Sequence, residues 1–410
     1  DTFFYGVDCM KVLIMDMGSR MNRFGGEARV AAQLYHKLKR YFSTYYFGYE
    51  TYYIKPAKQD ICIRREKVKL SRQMRTKLSE NWIMRAGYYF LSGRLSNLGI
   101  SKKTILEYAK RIKPDVIIAN SIADFPIIRY LRSNGMEFKT LYIDHVNLSM
   151  DTFSGMLSKN SLPLTMGSGI IACGTNAYKR KFLGFFDRCI ALNLEQKERM
   201  ERFTKNVVYI PNGISNAKGD SSISKRFLNR YGLRGKFIVL YVGRMFERQK
   251  NVSTLIKAFK MIKGEDKRLA IVGDGPSLND YVEIARGDNR IVFTGSVDDS
   301  MLSGAYRAAS LYVLPSLWEG FSITMLEAAS HGTAMLLSKN ACPKDFEKEG
   351  IKVDVFDPYN VTELAKKIEM LGKSRRLLKR ARSESRKIAE VFGEDKMIEK
   401  YRNILLSLED

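Results

Sequence analysis

The chain alternates two kinds of segment, and this alternation constrains its fold more than any other feature of the sequence. Short apolar runs rich in β-branched residues are followed by longer runs with the apolar spacing of a helix, as in KVLIMDM (11–17) and EARVAAQLYHKLKR (27–40). Consecutive parallel strands need a crossover connection, which is usually a helix. The sequence therefore predicts an α/β fold with parallel sheets.

The alternation occurs twice along the 410 residues, which are too many for one ordinary domain of about 100 to 200 residues. We predict two doubly wound domains, 10–215 and 236–390, with the boundary near 215–235, and a C-terminal helix at 391–410 that packs back toward the N-terminal domain. The predicted strands are 11–17, 114–120, 139–145, 188–193, 207–214, 236–245, 267–276, 289–297, 310–316 and 333–338.

The composition is that of a soluble globular protein, with 45% hydrophobic residues and no apolar run of the roughly 18 residues that a membrane span needs. The five cysteines are scattered without CxxC spacing, which argues against a disulfide framework or a zinc site. The first residues, DTFFYGVDC, lack the basic start and long apolar centre of a signal peptide. These features predict a cytoplasmic protein.

The net charge is strongly positive, since 69 Lys and Arg residues stand against 44 Asp and Glu residues, giving +25. Such a charge favours polyanionic partners. Between 55 and 94, eleven basic residues accompany three acidic ones and run into NWIMRAGYYFL, a composition typical of a helix at a bilayer surface. Three interpretations stay open: a solvated helix packed on its own domain, docking on an anionic membrane or acceptor, and nucleic-acid binding. The basic run at 373–402 is predicted to be a surface helix.

Ligands of doubly wound sheets bind beyond the carboxyl ends of the strands, so the residues that follow predicted strands are the first site candidates. After the strand at 310–316, Glu319 and Glu327 lie eight positions apart. Gly320 allows a ligand close to the backbone, and the helix start that follows attracts phosphate. The carboxylates can accept hydrogen bonds from hydroxyl groups, Glu319 from a sugar and Glu327 from a ribose. An acid near a helix start is also favourable to the helix dipole by itself.

A second strand end, YVGRMFERQKN, supplies Gly243, Arg244 and Lys250. Two cations fixed there could neutralise a diphosphate leaving group, although either one taken singly is more typical of a surface residue. GDGP (273–276) is a glycine-rich turn between a strand and a helix, which by itself is weak evidence for a phosphate site.

Taken in order, Gly243-Arg244 with Lys250, GDGP, FTGSV and YVLPSLWEGFSITMLEAASHG closely resemble the retaining glycosyltransferases of the GT-B fold, specifically glycosyltransferase family 4 (glycosyl transferases group 1). The resemblance is strong over 236–372 and weaker in the N-terminal half. It implies two Rossmann-like domains that face each other across a cleft. It also implies transfer of a hexose or N-acetylhexosamine from a UDP- or GDP-linked donor, without metal or cofactor and without a protein nucleophile.

The resemblance also implies roles for individual residues. Arg244 and Lys250 would bind the donor diphosphate, Glu319 the donor sugar and Glu327 the nucleotide ribose. The remaining family positions match Gly320, Phe321 and Ser322, whose backbone would hold sugar and phosphate; Gly25 and Gly26, near phosphate and acceptor; and His145, near the reaction centre.

Two positions depart from the family pattern, because Thr333 stands where proline is common and Ser322 stands where glycine is common. Both departures are compatible with the assignment, and Ser322 could tune the choice of donor sugar.

Several rival functions are possible. A nicotinamide-dependent dehydrogenase is disfavoured because no predicted strand is followed by GxGxxG. A sugar-nucleotide sensor without activity is conceivable. The main alternative is a protein that binds nucleic acid or an anionic surface without transferase activity. The acceptor predicted for an enzyme is an anionic or lipid-linked glycan or a polyol-phosphate polymer, as in cell-surface polysaccharide synthesis. The enzyme would then work at the cytoplasmic face of a membrane.

Overall fold

In a computed structural model, the chain forms two units. The structure describes residues 10–17, 25–49, 51, 53–55, 57–63, 102–145, 176–217, 221–341 and 343–409. The first unit contains the described residues of Asp1–Leu192, Gln196–Ile210 and Ile398–Asp410, and the second those of Asn193–Glu195 and Pro211–Met397. Neither unit is therefore one continuous stretch of chain.

The first unit is built on a seven-stranded sheet in which every pair of neighbours is parallel, with the strand order β3-β2-β1-β4-β5-β6-β7. Its strands are β1 Lys11–Asp16, β2 Ser43–Tyr49, β3 Ile61–Ile63, β4 Val116–Ala119, β5 Lys139–Ile143, β6 Arg188–Ala191 and β7 Val207–Tyr209. The helices that begin before the end of β7 are α1 Gly26–Leu38, α2 Lys102–Ile112, α3 Phe125–Ser133, α4 at 176–183 and α5 Leu194–Glu201.

The second unit is built on a six-stranded parallel sheet with the order β10-β9-β8-β11-β12-β13. Its strands are β8 Phe237–Val242, β9 Lys267–Val272, β10 Ile291–Gly295, β11 Leu311–Leu314, β12 Ala334–Ser338 and β13 Asp354–Phe356. The later helices are α6 Ser221–Arg230, α7 Glu247–Lys250, α8 Val252–Met261, α9 Leu278–Ala285, α10 Asp299–Ala308, α11 Ile323–Ser330, α12 Asp345–Lys348, α13 Val361–Lys373, α14 Arg375–Val391 and α15 Glu394–Leu406.

The predicted α/β architecture with two parallel sheets is confirmed, and each predicted strand contains an observed one. Three strands were missed. Two of them, Ile61–Ile63 and Asp354–Phe356, have only three residues each, and STYYFGY (43–49) is aromatic rather than aliphatic. The helix-like interpretation of 55–94 is wrong at its start, because β3 pairs there with β2. Residues 64–94 lie outside the described residues.

In both sheets the strand order reverses at the same place. The chain builds outward on one side of the first strand and then returns to the other side, so the reversal lies between β1 and β4 and again between β8 and β11. The central strands are buried along nearly their whole length, as in Val116–Ala119 and Leu311–Leu314. In open parallel sheets the carboxyl ends at such a reversal leave a crevice where ligands bind. The loops after β1, β4, β8 and β11 are therefore the places to look for a site.

None of the helices in the described part of the chain has both the length and the apolarity of a membrane span.

Candidate functional site

The reversal point of the second sheet brings Lys250 and Glu319 together. Lys250 is the last residue of α7, in the connection that follows β8, and Glu319 lies in the loop after β11. The Lys250 Nζ donates to Glu319 Oε1 at 2.6 Å, and only 15% and 9% of the two side chains are exposed. Because water is largely excluded, this charge-assisted hydrogen bond is strong and its geometry is fixed.

Further hydrogen bonds tie the loop after β11 to α7. The Leu317 N–H donates to the Gln249 carbonyl at 2.7 Å. Asn251, which ends α7 and begins α8 in a left-handed conformation with φ of 50°, donates from Nδ2 to the carbonyls of Pro315 and Pro358 at 3.2 and 2.8 Å. Asparagine tolerates this conformation better than most residues. The backbone therefore sets the position of the Glu319 carboxylate relative to Lys250.

A row of backbone N–H groups follows Glu319. Ser322 is the N-cap of α11, and its hydroxyl accepts from the Met325 N–H at 3.4 Å. The N–H groups of residues 320–324 find no acceptor within the described ranges. Successive unpaired N–H groups at a helix start carry partial positive charge and attract anions. The Ser322 hydroxyl itself serves the helix cap.

Glu327 lies inside the second unit rather than on its surface. It is the fifth residue of α11, and it is 5% exposed. The hydroxyl of Tyr306, from α10, donates to Glu327 Oε2 at 2.7 Å. Thr333, which stands at a family proline position, donates its hydroxyl to the Tyr306 carbonyl at 2.8 Å. The predicted ribose ligand is thus anchored by α10.

The loops after β8 and β9 touch through their backbones. Gly273 has φ of +133°, and a Cβ atom there would lie 2.1 Å from the Gly243 carbonyl oxygen. Packing of backbone on backbone is therefore what the GDGP turn requires. In the loop after β8, the Arg244 carbonyl accepts from the Tyr241 hydroxyl at 3.0 Å, and the Arg244 guanidinium carbon lies 5.3 Å from the centre of the Phe246 ring.

A different polar cluster lies at the reversal point of the first sheet. His145 follows β5, and its Nε2 lies 3.0 Å from Oδ1 of Asn120, which follows β4. The Asn120 Nδ2 donates to the Glu27 carbonyl at 3.0 Å and to Asp16 Oδ1 at 3.4 Å. These acceptors orient the Asn120 amide so that its oxygen faces the imidazole. His145 Nε2 must then carry the proton, and Nδ1 is left as an acceptor.

Burial controls the charge of two histidines. Desolvation lowers the pKa of His145 to about 3, so its ring is neutral at physiological pH. Desolvation, together with the nearby charge of Arg307, lowers the pKa of His331 to about 4. His145 therefore offers a neutral acceptor at Nδ1 rather than a positive charge.

The two predicted glycines of the first unit lie at the start of α1. Gly25 is its N-cap, in an extended conformation, and Gly26 is its first residue. The carbonyl of the next residue, Glu27, accepts from Asn120, so this helix start is linked through Asn120 to His145. Residues 18–24, between β1 and Gly25, lie outside the described residues.

Four residues that lie near the predicted sites were not identified as site candidates from the sequence. Asp16 is the last residue of β1 and Asn120 directly follows β4, so a polar residue at the end of an apolar strand was the available signal. Asn193 and Asn212 donate from Nδ2 to the carbonyls of Gly320 and Phe321 at 2.5 and 2.7 Å. These contacts join residues more than 100 positions apart, and no local pattern announces them.

Within the described residues, no three His, Cys, Asp or Glu side chains are grouped in a way that could hold a metal ion.

Sequence comparison places part of the chain in a known family. Residues 225–388 match the model of the family described as "Glycosyl transferases group 1". A UDP-Gal:alpha-D-GlcNAc-diphosphoundecaprenol alpha-1,3-galactosyltransferase of Escherichia coli is 31% identical over 188 residues, which are 42% of this chain and 48% of that protein. An alpha-monoglucosyldiacylglycerol synthase of Streptococcus pneumoniae is 31% identical over 142 residues, which are 32% of each chain. The chain thus spans less than half the length of either relative.

The fold has solved counterparts over nearly its full length. The crystal structure of Anabaena HepE in complex with UDP-glucose matches with a TM-score of 0.70 at 17% identity, covering 97% of this chain and 100% of that one. The sucrose-phosphate synthase of Thermosynechococcus elongatus matches with a TM-score of 0.73 at 16% identity, covering 97% and 99%. Identities this low establish the fold alone, which is the predicted GT-B fold. Residues 225–388 are therefore similar to the glycosyl transferases group 1 family, and the chain has the GT-B fold.

Proposed function

We propose that the chain is a retaining glycosyltransferase that moves a hexose or N-acetylhexosamine from a UDP- or GDP-linked donor to a hydroxyl of an anionic or lipid-linked acceptor. The observation that carries the proposal is the largely desolvated Lys250–Glu319 pair beside the N–H groups of 320–324, which meet no acceptor among the described residues. Fixed donors and a cation at one strand end suit a leaving diphosphate. A nearby carboxylate suits the hydroxyl groups of a sugar.

The positively charged groups of the second unit match the negative charge that develops in the proposed reaction. When the bond from the anomeric carbon to the diphosphate breaks, negative charge grows on the diphosphate oxygens. Lys250, Arg244 and the N–H groups at the start of α11 stabilise that charge. Glu319 accepts hydrogen bonds from the sugar and holds Lys250 in place. Glu327, positioned by Tyr306, accepts from the ribose hydroxyls.

Retention follows if the acceptor hydroxyl attacks from the face that the diphosphate leaves. The new bond joins the acceptor oxygen to the anomeric carbon, and the hydroxyl proton passes to a diphosphate oxygen, so no protein nucleophile, metal or cofactor takes part. His145, neutral and protonated at Nε2, offers Nδ1 as an acceptor for a sugar hydroxyl.

UDP is the donor nucleotide that we favour and the first that we would test. The name of the Escherichia coli relative includes a UDP-linked sugar, and HepE was solved with UDP-glucose. A lipid-linked acceptor is supported by the names of both relatives. The name of the Escherichia coli relative includes diphosphoundecaprenol, and that of the Streptococcus pneumoniae relative includes diacylglycerol. The excess of basic residues between 55 and 94 suits an anionic acceptor at a membrane surface.

A thermal-shift panel of nucleoside diphosphates and nucleotide sugars, run on wild type and Glu327→Ala, tests the donor assignment. We expect stabilisation by one base only, weakened in the variant. Product made from an α-linked donor should be α-linked by NMR, and EDTA should leave the rate unchanged. Absence of any shift and of any transfer would favour the alternative of a binding protein without activity.

Liposome sedimentation tests the membrane-surface part of the proposal. We expect anionic vesicles to recover more protein than neutral ones, and neutralising Arg64, Arg65, Lys67 and Lys69 to remove the difference. Equal recovery with both kinds of vesicle, unaffected by these substitutions, would contradict it.

A further inference from the structure

Two buried asparagines hold the backbone beside Glu319. We propose that Asn193 and Asn212 are positioning residues that aim the N–H groups of Phe321 and Ser322 at the donor diphosphate. This inference rests on the proposed function, because it takes the diphosphate as the anion that those N–H groups bind.

The two side chains lie in separate parts of the chain, and they donate hydrogen bonds to consecutive peptide groups. Asn193 lies just after β6 and donates to the Gly320 carbonyl at 2.5 Å, while Asn212 lies just after β7 and donates to the Phe321 carbonyl at 2.7 Å. Asn193 is 7% exposed and Asn212 is 3% exposed. Water therefore competes little for either hydrogen bond.

In a peptide group, the direction of the carbonyl determines the direction of the N–H group of the next residue. In a planar trans peptide the C=O and the N–H of the following residue point in opposite directions, and the described chain contains no cis peptide bond. Fixing the Gly320 carbonyl therefore fixes the direction of the Phe321 N–H. Fixing the Phe321 carbonyl does the same for the Ser322 N–H. Neither N–H meets an acceptor in the part of the chain that the structure describes.

The segment that carries Asn212 is itself held in place. The Gly213 N–H donates to Met397 Sδ at 3.1 Å, and the Ile214 N–H donates to the Phe392 carbonyl at 3.0 Å. The ring of Phe392 also packs against the Phe321 ring, with the ring centres 5.0 Å apart. Asn212 thus acts from a fixed support.

Asn193 has a comparable support. The N–H of the next residue, Leu194, lies 3.3 Å from both carboxylate oxygens of Asp345, which is 1% exposed. The Phe346 ring, next along the chain, lies 6.2 Å from the Phe321 ring between centres. The Glu319–Ser322 segment is therefore held through two carbonyls and one aromatic ring.

The hydrogen bonding of Asn212 also indicates a role beyond stability. Its Oδ1 atom is buried and meets no hydrogen-bond donor among the described residues. A buried polar atom without a partner is costly, so an asparagine is a poor choice for packing alone. Donors held in place before the charge develops stabilise a leaving group without the cost of reorganisation, which accounts for keeping this asparagine.

Affinity for UDP, measured by calorimetry with GDP as the second probe, tests the proposal in the full chain. We expect Asn193→Ala and Asn212→Ala each to bind the nucleotide about tenfold more weakly than wild type. Asn212→Asp should lose affinity similarly at pH 8, where a carboxylate would face the Phe321 carbonyl. It should recover at pH 5.5, relative to wild type at that pH, because a buried and protonated carboxyl can donate as the amide does.

Ser385→Ala is the matched control, since the Ser385 hydroxyl is 1% exposed and donates to the Thr333 carbonyl at 2.6 Å. It should lower Tm while leaving UDP affinity unchanged. The proposal is overturned if the asparagine variants lose Tm as the control does but bind UDP as wild type, or if Asn212→Asp shows no recovery at low pH. Wild type that binds neither UDP nor GDP would overturn the proposed function, and this inference with it.

Discussion

The two units share one sheet architecture but place different chemical groups at its strand ends. Both sheets are parallel, and in both the strand order reverses next to the first strand. Each sheet therefore presents two strand ends at its own crevice. The second unit places there a largely buried cation, a carboxylate and N–H groups that meet no acceptor among the described residues. The first unit places Asp16, Asn120 and a neutral His145 there. One strand end thus suits a diphosphate, and the other suits uncharged hydroxyl groups.

The largest expected effect is that of removing the cation of the second unit. Lys250→Ala should lower kcat/KM by about 10² to 10³, because under the proposed function the leaving diphosphate would lose a fixed counter-charge. Lys250→Arg should keep part of the activity. The exposed Lys257 of α8 is the matched control, and Lys257→Ala should behave as wild type.

A variant of the first unit tests whether the two units have different roles. Asn120→Ala, in the first unit, should reduce turnover while leaving UDP affinity within about twofold of wild type, since Asn120 orients His145 and not the diphosphate. If Asn120→Ala abolished UDP binding and Lys250→Ala preserved it, the roles of the two units would be reversed.

The backbone contact between the loops after β8 and β9 predicts the next largest effect. Gly273→Ala should destabilise the second unit by about 3 kcal/mol or more, since its Cβ would lie 2.1 Å from a backbone oxygen. Gly287 also has a positive φ, of +82°, but a Cβ atom added there would meet nothing within 4 Å. Gly287→Ala should therefore cost only about 1 to 2 kcal/mol in denaturant unfolding. Equal losses would argue against the close contact.

Glu327 predicts a moderate effect that is confined to the nucleotide. Glu327→Ala should weaken UDP binding about tenfold by calorimetry, because under the proposed function the ribose hydroxyls would lose a buried acceptor. The matched variant Tyr306→Phe keeps the carboxylate but removes its hydroxyl donor, so it should lower stability by about 1 to 3 kcal/mol with a smaller loss of affinity. A Glu327→Ala protein with unchanged UDP affinity would remove this residue from the site.

The smallest expected effect concerns pH, and it involves one histidine of each unit. Burial lowers the pKa of His145 to about 3 and that of His331 to about 4, below the ordinary histidine value of 6.5. Below pH 6.5 the unfolded chain therefore binds protons that the folded chain does not, so Tm should fall as the pH drops from 7 toward 4. His145→Gln and His331→Gln should each reduce that slope.

The histidine tautomer gives a sharper readout of the first unit. The chain has only three histidines, so ¹⁵N NMR of labelled imidazoles can resolve His145. We expect a neutral ring protonated at Nε2 from pH 5 to 8, and a mixture of tautomers in Asn120→Ala. Titration of His145 near 6.5 would contradict its assignment as a neutral acceptor.

The sequence predicted the parts of the molecule that depend on local pattern. The alternation of buried strands and amphipathic helices gave both parallel sheets, and the motifs after β8 and β11 gave Lys250 and Glu319, which the structure brings to 2.6 Å. The roles of Lys250 and Glu319 toward a sugar donor stay predictions. The strand Asp354–Phe356 escaped notice because three residues are too few to show a period.

Contacts between distant segments could not be predicted. Asn193 and Asn212 read as ordinary polar residues near loops, and only the fold shows that each reaches a carbonyl of the glutamate-containing loop. Asn120 likewise gains its meaning from the adjacent strands that bring His145 beside it. Side chains that orient other groups follow from tertiary structure, for which a single sequence carries no periodic signal.

Backbone hydrogen exchange with and without saturating UDP tests whether the second unit binds the diphosphate, because it reports on the strand ends of both units at once. We predict that UDP slows exchange of the N–H groups at 320–324 and leaves those around Asn120 and His145 unchanged. Slower exchange around Asn120 and His145 alone, or no change at 320–324 in protein shown to bind UDP, would contradict the assignment of the diphosphate to the second unit.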